Sequence, residues 1–304
     1  MSDFTSFRKY LVGQDCSEVT VHGYLANIEQ FAVWFKLTNG EELTPERLTP
    51  TDVKQYRQYL LTVQRRKAST VNRHLAALSA YVRSARANGE IEGDPTENVK
   101  SIRQVSSAPK WLDRNEQYAL QRAIERDVQI SKLQYPKRWV TRRRDASLVL
   151  LLLHTGLRLS EATALRLEDF QISERKGSLM VQNGKGGKQR SIPLNADARK
   201  ALEEWLAVRP ESGTDHLWVS EGNDTEGLSP RAVQRVLHRY GKDAKLEDLT
   251  PHVCRHTFAK NLVDRGVGLE KVAALLGHAN LNTTRLYTTP DIHDLEKAVQ
   301  GLER

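Results

Sequence analysis

Residues 250–287, near the C-terminal end, bring together side chains that bind anions and one that can act as a nucleophile. They include His252, Arg255, His278 and Tyr287. Guanidinium and imidazole N–H groups bind the non-bridging oxygens of a phosphodiester, and a phenol can form a covalent phosphoester. No acidic pair for hydrolysis accompanies them. These residue types therefore indicate a site for an oxyanion rather than for a metal ion.

Helix signals around these residues predict where each side chain points. Thr250 and Pro251 are typical of an N-cap and of the first position of a helix. A helix that begins there carries His252 and Arg255, three positions apart, on one face. A shorter helix is predicted to end at the glycine before His278, so that this side chain can reach into a cleft. These two helices must position the candidate site.

Three segments of the chain resemble the motifs of the tyrosine recombinases, the phage-integrase family. Residues 252–287 carry the pattern His-x-x-Arg, then Leu-Gly-His, then a tyrosine nine positions after the last histidine. Residues 155–161 are similar to the family's first arginine motif, and residues 184–193 are similar to its lysine-bearing β-hairpin. The resemblance implies six catalytic residues: Arg158, Lys185, His252, Arg255, His278 and Tyr287.

The resemblance also implies what the phosphate-binding residues do. Tyr287 attacks a DNA phosphate, releases a 5′-hydroxyl and leaves the strand attached as a 3′-phosphotyrosine. Arg158 and Arg255 hold the non-bridging oxygens, and His278 donates a further hydrogen bond as charge builds. Because one phosphoester replaces another, rejoining needs neither ATP nor a metal, and we expect no cofactor.

Two proton transfers complete this chemistry. A 5′-alkoxide is a poor leaving group, and Lys185, beside the tip of the predicted hairpin, is the acid that the resemblance implies. Free tyrosine has a pKa near ~10, so the phenol needs help to lose its proton. His252 is the candidate base for Tyr287, and the nearby cations favour the phenolate.

The remaining sequence predicts a mainly α-helical chain with two domains. Tyr24, Ile28, Phe31 and Phe35 recur at helical spacing, and similar patterns predict four amphipathic helices before the linker. This part resembles the SAM-like core-binding domain of the family. The rest is expected to be an α-helical catalytic domain with a small antiparallel β-sheet, the DNA breaking–rejoining fold. The predicted boundaries are residues 1–104 for the core-binding domain, 105–110 for a linker and 111–304 for the catalytic domain.

The charge balance favours a polyanionic partner, and the resemblance implies that this partner is double-stranded DNA. The chain has 46 lysines and arginines against 38 acidic residues, a net charge of +8, although many basic proteins bind nothing acidic. A basic cluster at a helix start and two hairpin side chains are assigned to DNA phosphates, with a solvated helix end as the other interpretation of the cluster. The predicted DNA-binding residues are Arg65, Arg66, Lys67, Arg73, Lys188 and Arg190.

Cysteine usage and hydropathy bear on where the protein works. Cys16 and Cys254 are far apart in helical patterns and are expected to be reduced thiols of a cytoplasmic, nucleoid-associated protein. The longest apolar run, residues 147–153, is too short for a membrane span, and the N-terminus shows no export signal. We therefore expect no membrane partner.

Two segments have more than one interpretation. The amphipathic segment from Asp291 to Leu302 could dock on a neighbouring subunit, in line with a homo-tetramer on DNA, or pack on its own domain. Residues 127–144 run longer than in compact members of the family. This basic segment with aromatic residues could follow DNA or form a surface excursion.

Other functions fit parts of the pattern. A type IB topoisomerase uses the same chemistry as a monomer, and integration, transposition and resolution all remain compatible with the motifs. Residues 267–287 also fit the outline of a helix-turn-helix in a non-enzymatic DNA-binding protein, which leaves Arg158 and Lys185 unexplained. A zinc site that includes His256 is disfavoured, because Cys254 and His252 would lie on different helix faces. We expect no metal.

Overall fold

The computed structural model describes residues 4–103, 109–182, 189–220, 223–278 and 280–288, with the backbone alone for residues 223–225. Close contacts divide the chain into two compact units, Met1–Ser107 and Ala108–Arg304. This division falls within residues 105–110, the predicted linker, most of which lies outside the described ranges. Within those ranges, no helix combines the length and the apolar character needed to cross a membrane.

The described part of the N-terminal unit is a bundle of four α-helices, as predicted. The helices are α1 (Thr5–Gly13), α2 (Glu18–Asn39), α3 (Pro50–Thr62) and α4 (Ala68–Ala87), with a 3₁₀ turn at Pro45–Arg47. Side chains cap two of them. Ser17 accepts the backbone N–H of Thr20, and Thr49 forms a reciprocal capping box with Asp52. Helix α4 begins directly after Lys67, which makes no side-chain capping bond.

The apolar faces of these helices form the core of the bundle. Ile28, Phe31 and Phe35 of α2 are buried, while Tyr24 at the same spacing is only partly buried. Tyr56 of α3 meets Phe31 edge to face, with ring centroids 4.8 Å apart. Full burial of such a side chain contributes about 1.5–3 kcal/mol. The unit therefore has a hydrophobic core of its own.

The C-terminal unit is mainly helical, with small antiparallel sheets. Its helices are α5 (Arg114–Gln134), α6 (Pro136–Thr155), α7 (Leu159–Ala164), α8 (Ala196–Leu206), α9 (Pro230–Asp243), α10 (Pro251–Asp264), α11 (Leu269–Leu276) and α12 (Asn282–Arg285). Short 3₁₀ turns cover Leu167–Asp169 and Leu286–Thr288. One sheet has the order β1 (Phe170–Ile172), β2 (Gly177–Val181) and β3 (Arg190–Pro193), and a second pairs β4 (Val219–Ser220) with β5 (Asn223–Gly227). The predicted fold class is confirmed.

The predicted hairpin forms, but its sheet has a different third strand from the one expected. Strands β2 and β3 pair antiparallel, and β1 adds to the other edge of β2. The sequence suggests a strand at residues 217–219, yet Val219 belongs to the separate two-stranded sheet. Trp218 beside it is buried, and its indole N–H donates to the Ala162 carbonyl at 2.9 Å. The apolar character of this segment thus reflects burial in the core.

Helix α6 runs through the centre of this unit and extends well before the predicted apolar run 147–153. Its fully enclosed apolar side chains are Leu148, Val149, Leu151 and Leu152. Residues 127–144 form the end of α5 and the start of α6. There Asp127 accepts a hydrogen bond from the Tyr240 hydroxyl at 2.9 Å, and Arg144 donates to the Val219 carbonyl at 2.6 Å. The two ends of this segment are therefore packed into the unit, whereas residues 132–138 between them are exposed.

Candidate active site

Arg158 lies in the corner between α6 and α7, where the sequence places it. Gly156 ends α6 in the left-handed conformation, with φ 64°, and α7 begins directly after Arg158. The guanidinium Nη1 donates to Glu161 Oε1 at 2.7 Å, and Nη2 donates to the Gly277 carbonyl at 2.9 Å. The side chain is still partly exposed. It is thus fixed in direction and remains accessible to an anion.

Arg255, in the second turn of α10, is enclosed and bound to two backbone carbonyls. Its Nη1 donates to the Gly156 carbonyl and its Nη2 to the Leu276 carbonyl, both at 2.7 Å. Only 4% of the residue is exposed. Because Leu276 and Gly277 are adjacent, the guanidinium groups of Arg255 and Arg158 bind successive carbonyls at the end of α11. The two charges therefore lie next to each other.

Two glycines allow this close approach. Gly156 has φ +64°, and a Cβ there would lie 2.5 Å from Phe258 Cδ1 and 2.9 Å from Leu276 Cδ2. Gly277 has φ +68°, and a Cβ there would lie 2.9 Å from Arg190 Nη1. Both positions combine a left-handed backbone with a lack of space, so only glycine fits them without strain. The glycines in the two sequence motifs thus have a steric cause.

Glu161 joins the arginines of the site to strand β3. Arg190 Nη1 and Nη2 donate to its two carboxylate oxygens at 2.9 and 2.8 Å, and Arg190 Nε donates to the Leu275 carbonyl at 2.9 Å. The Arg190 side chain is only 11% exposed. The sequence predicts a DNA phosphate contact for Arg190, and that contact stays a prediction. In this structure three of its N–H groups donate inside the protein, and Arg190 ties β3 to α11.

The ionised groups leave this region with excess positive charge. Burial raises the pKa of Glu161, but hydrogen bonds from Arg190 and Arg158 outweigh it and lower the pKa to about 2. Burial and the adjacent Arg158 lower the pKa of Arg255 to about 10, so the guanidinium stays charged at neutral pH. One carboxylate thus faces three guanidinium groups. Such a balance suits the binding of an anion.

His278 lies just past the end of α11, as the sequence predicts. Its Nδ1 is 3.0 Å from the hydroxyl of Thr284, and the ring is half-buried. Burial lowers the pKa of His278 to about 4, and the charges of Arg255 and Arg158 act in the same direction. The imidazole is therefore neutral at pH 7. In that form one ring N–H is still available as a donor.

Tyr287 lies in the 3₁₀ turn after α12 and packs in an apolar cluster with Val272 and Leu276. The residue is 1% exposed, and its hydroxyl is 2.7 Å from His256 Nδ1. Burial raises the pKa of the phenol, and the nearby charge of Arg255 opposes this rise. The candidate nucleophile is therefore a neutral phenol in hydrogen-bond contact with an imidazole.

The imidazole at the Tyr287 hydroxyl belongs to His256 and not to His252, the predicted base. His252 lies one turn earlier on α10, is exposed, and its ring centroid is 6.4 Å from that of His256. The sequence interpretation considered His256 only as a zinc ligand. The spacing of four residues puts both rings on one side of the helix, and this is the signal that could have identified His256.

The remaining predicted site residues fall into two groups. Lys185 and Lys188 belong to residues 183–188, outside the described ranges, so the expectations for them stay predictions. The basic cluster of the N-terminal unit is exposed on the turn into α4 and on the first turns of that helix. Its members are Arg65, Arg66, Lys67 and Arg73.

The structure offers little to the zinc and helix-turn-helix interpretations. Across the part of the chain that the structure describes, no group of three or more His, Cys, Asp or Glu side chains could hold a metal ion. Cys254 is fully buried, and burial raises the pKa of its thiol to about 12. Helix α12 has only four residues, and Tyr287 after it is buried. The second helix of this segment is therefore too short to serve as a recognition helix in a DNA groove.

Comparison with known families accounts for both units. The phage integrase family matches residues 123–293, which is more than half of the chain. The phage integrase N-terminal SAM-like domain matches residues 4–87.

Full-length relatives are similar as well. A tyrosine recombinase XerC of Roseiflexus castenholzii is 31% identical over 314 residues, covering 96% of this chain and 93% of that protein. A tyrosine recombinase XerA of Pyrococcus furiosus is 34% identical over 231 residues, covering 76% of this chain and 73% of that protein. The TnP I resolvase of Bacillus thuringiensis is 27% identical over 303 residues, covering 97% of this chain and 98% of that protein.

Solved structures share the fold. The XerH site-specific recombinase bound to a palindromic difH substrate matches with a TM-score of 0.75 at 22% identity, over 96% of this chain and 82% of that one. A lambda integrase dimer bound to a core site matches with a TM-score of 0.69 at 20% identity, over 94% and 95% of the two chains. From its family matches, its relatives and its fold, the chain belongs to the phage integrase family and is a tyrosine recombinase, an enzyme that cuts and rejoins DNA at specific sites.

Proposed function

We propose that Tyr287 of this chain cleaves double-stranded DNA, and that Arg158, Arg255 and His278 stabilise the phosphate under attack. The convergence of the two guanidinium groups on successive carbonyls at the end of α11 is the strongest support. His278 follows that helix end directly, and Tyr287 packs against the same helix. These four side chains are therefore gathered around one helix terminus.

In the proposed reaction, the phenolic oxygen of Tyr287 forms a bond to phosphorus as the bond from phosphorus to the 5′ oxygen breaks. The electron pair leaves with the 5′ oxygen, which takes a proton from an acid, for which Lys185 is predicted. The products are a 3′-phosphotyrosine and a 5′-hydroxyl. Negative charge grows on the non-bridging oxygens, where a preorganised donor is worth about 2.7–4 kcal/mol. Rejoining follows the same steps in reverse and needs no cofactor.

The burial of Tyr287 adds a condition to this scheme. Because 1% of the residue is exposed, its hydroxyl can reach a phosphorus atom only after the turn Leu286–Thr288 shifts. That turn is held by apolar contacts with Val272 and Leu276 and by the hydrogen bond to His256. We expect bound DNA to stabilise the shifted turn, since its phosphate contributes charge interactions that the buried state lacks.

Covalent trapping tests the nucleophile. Adducts formed on genomic DNA fragments are denatured, and their protein-linked ends are sequenced to locate the cleavage site. A duplex with that site and a nearby nick then loses a short oligonucleotide on cleavage, which prevents rejoining. We expect an adduct that survives denaturation and that Tyr287→Phe abolishes.

Tyr118→Phe is the matched control, because Tyr118 is an exposed tyrosine of the same unit. We expect this variant to form the adduct at the normal rate. An adduct made by Tyr287→Phe, or none made by the unaltered protein at any genomic site, would reject Tyr287 as the nucleophile.

The proposed function includes assembly of a homo-tetramer on two DNA sites through the segment from Asp291 to Leu302, which lies outside the described ranges. The lambda integrase structure with the same fold is a dimer on a core site, which supports association on DNA. Deletion of residues 290–304 should spare adduct formation on a single site and abolish pairing of two labelled duplexes in a native gel. Normal recombination by the shortened protein would contradict this assignment.

The biological reaction is proposed to be resolution of DNA in the cytoplasmic nucleoid, with integration and transposition as the other outcomes. Similarity to the TnP I resolvase along the whole chain supports resolution. A supercoiled plasmid with two directly repeated copies of the mapped site tests it, since resolution yields two circles. Relaxation of a plasmid that lacks the site would instead indicate topoisomerase activity.

A further inference from the structure

We propose that His256 is the general base that accepts the phenolic proton of Tyr287 through its Nδ1 atom when DNA is cleaved. This inference rests on the proposed role of Tyr287 as the nucleophile. The sequence suggests His252 for this proton transfer. The proposal assigns it instead to His256, which is not one of the six predicted catalytic residues.

The contact that this transfer needs is present in the DNA-free structure, and the proposal requires that it persists or re-forms when the turn Leu286–Thr288 shifts. The Tyr287 hydroxyl is 2.7 Å from His256 Nδ1, and the ring centroids are 5.5 Å apart at an interplanar angle of 51°. A candidate base must lie within hydrogen-bond reach of the proton that it removes, and this contact satisfies that condition. The position of His256 on α10 is also fixed by packing, since its neighbours in sequence, Arg255 and Thr257, are both buried.

The protonation states of the two groups allow Tyr287 to act as the donor. Burial lowers the pKa of His256, and the neighbouring His252 and Arg255 on α10 act in the same direction. His278, which faces the site from the end of α11, is neutral at pH 7 and adds no charge. The His256 ring is therefore neutral, while the phenol keeps its proton. In the tautomer that carries its hydrogen on Nε2, which the proposal requires, Tyr287 donates its O–H and Nδ1 accepts it.

Bound DNA changes this balance in favour of proton transfer. A phosphate between the guanidinium groups brings negative charge close to His256, which raises the pKa of the imidazole and makes it a stronger base. As the phenolic oxygen bonds to phosphorus, its proton moves to Nδ1 and the imidazole becomes a cation. The 5′ oxygen takes a second proton from the separate acid, so the charges balance. In the rejoining step His256 returns its proton to the phenolic oxygen of Tyr287.

His252 is less suited to receive this proton in the geometry observed. Its ring is exposed, one helical turn from His256, with 6.4 Å between the centroids. Within the described residues, the side chain that the Tyr287 hydroxyl contacts by a hydrogen bond is His256. The proposal therefore predicts different phenotypes for changes at these two positions.

The test uses the full-length protein and the nicked duplex that carries the mapped site. We expect His256→Ala and His256→Asn to slow single-turnover adduct formation by about 10²–10⁴-fold, the range of general base catalysis. The asparagine variant keeps a polar group near Tyr287 and so preserves packing while it removes the base. DNA binding and thermal unfolding of this variant should match those of the unaltered protein.

One change to the substrate and one change to the nucleophile distinguish base catalysis by His256 from other roles of this side chain. A duplex with sulphur in place of the 5′ bridging oxygen needs no acid for the leaving group, so it should not rescue His256→Asn. Fluorotyrosine at position 287 has a more acidic phenol and should restore part of the lost rate. The unaltered protein should lose activity as acid protonates His256, and this limb of the pH profile should disappear in His256→Asn.

Three results would overturn the proposal. A normal or higher rate in His256→Asn would mean that the contact only holds the resting tyrosine. Full rescue by the sulphur-containing duplex would assign His256 to the leaving group, and a lack of any fluorotyrosine effect would exclude a role at the phenol. Tyr287→Phe on the same duplex tests the proposed function by itself. An adduct formed by this variant would reject Tyr287 as the nucleophile, and not only His256 as its base.

Discussion

Arg255 uses both terminal nitrogens of its guanidinium inside the protein, on the carbonyls of Gly156 and Leu276. Lysine has a single charged nitrogen on a flexible stem and cannot span both acceptors. We therefore expect Arg255→Lys to slow adduct formation on the nicked duplex by about 10²–10³-fold, the usual effect of losing one preorganised donor. Single-turnover kinetics with denaturing gels measure the loss.

Arg265→Lys provides the matched control, because Arg265 is exposed at the end of the same helix. Its rate of adduct formation should be unchanged. If Arg255→Lys kept the full rate, the fixed guanidinium geometry would be irrelevant to catalysis. If both variants lost activity equally, the effect would lie in the stability of α10.

Glu161 should make folding stability depend on pH in the acid range. Its pKa is lowered from 4.5 to about 2 in the folded protein. The carboxylate therefore stabilises the fold at pH values above its ordinary pKa of 4.5. That contribution, roughly 3 kcal/mol, is lost as the pH falls from about 4.5 to about 2. Glu161→Gln should lack this pH dependence and be less stable at neutral pH, because Arg158 and Arg190 lose their counter-charge. Urea unfolding across the acid range measures both effects.

Asp215→Asn is the comparison for this prediction. Asp215 also pairs with an arginine, Arg166, but both side chains are exposed and solvent screens the pair. Its replacement should change the free energy of unfolding very little at any pH. Equal effects of the two substitutions would show that burial of Glu161 does not matter.

At the scale of single residues, sequence reasoning identified the charges of the site better than their contacts. It placed Arg158, Arg255, His278 and Tyr287 in segments that the structure brings together. It could not choose between two imidazoles one turn apart, because the choice depends on where another segment puts its hydroxyl. For the same reason it did not foresee that Arg190 faces a carboxylate from α7.

At the scale of elements, the end of α6 tolerates no side chain at Gly156. We expect Gly156→Ala to lower the free energy of unfolding through two effects. A left-handed residue other than glycine costs about 1–2 kcal/mol, and an added methyl group in a packed core costs about 1–3 kcal/mol. The methyl group would lie 2.5 Å from Phe258 Cδ1, so it should also displace the carbonyl that binds Arg255.

Comparison with Gly266→Ala separates the steric cost of a methyl group at Gly156 from the cost of its left-handed backbone. Gly266 has φ +77°, yet nothing lies within 4 Å of a Cβ built there. Its replacement should therefore cost only the backbone term and leave adduct formation intact. Denaturant unfolding of both variants gives the difference, and equal destabilisation would contradict the close packing of Gly156 against Phe258.

Local signals predicted some elements well and others poorly. The capping box of Asp113 and Glu116 starts α5 as the sequence indicates, because both partners lie within one turn of chain. Strand β1 was missed, since three residues become a strand only when a partner strand is available. The sequence left two interpretations of residues 127–144 open, because the packing of the ends of this segment depends on distant partners such as Tyr240.

At the scale of the whole molecule, the charge of +8 should appear in the salt dependence of DNA binding. Arg65, Arg66 and Arg73 are exposed around the start of α4. If each contacts one phosphate, replacing all three by glutamine should reduce the slope of log affinity against log salt concentration by about 2.7. Fluorescence anisotropy with the mapped duplex at several salt concentrations measures the slope.

Lys36→Gln combined with Arg47→Gln is the control for total charge. These two side chains already pair with Glu42 and Glu41 in the same unit, at 2.5 and 3.2 Å. Their loss should leave the slope unchanged. A reduction of about 1.8 in this double variant, the same per charge removed as in the triple variant, would mean that net charge, and not a defined phosphate contact, controls binding.

Both guanidinium groups of the candidate site are anchored on peptide oxygens of Gly156, Leu276 and Gly277. A peptide oxygen is present whichever amino acid the codon specifies, so no single substitution deletes these anchors. A substitution can weaken these hydrogen bonds only by changing the backbone dihedral angles that position the peptide oxygens. A random screen for recombination-defective variants should accordingly recover changes at the bends after α6 and α11, at glycines that have no side chain to bind the nucleic acid.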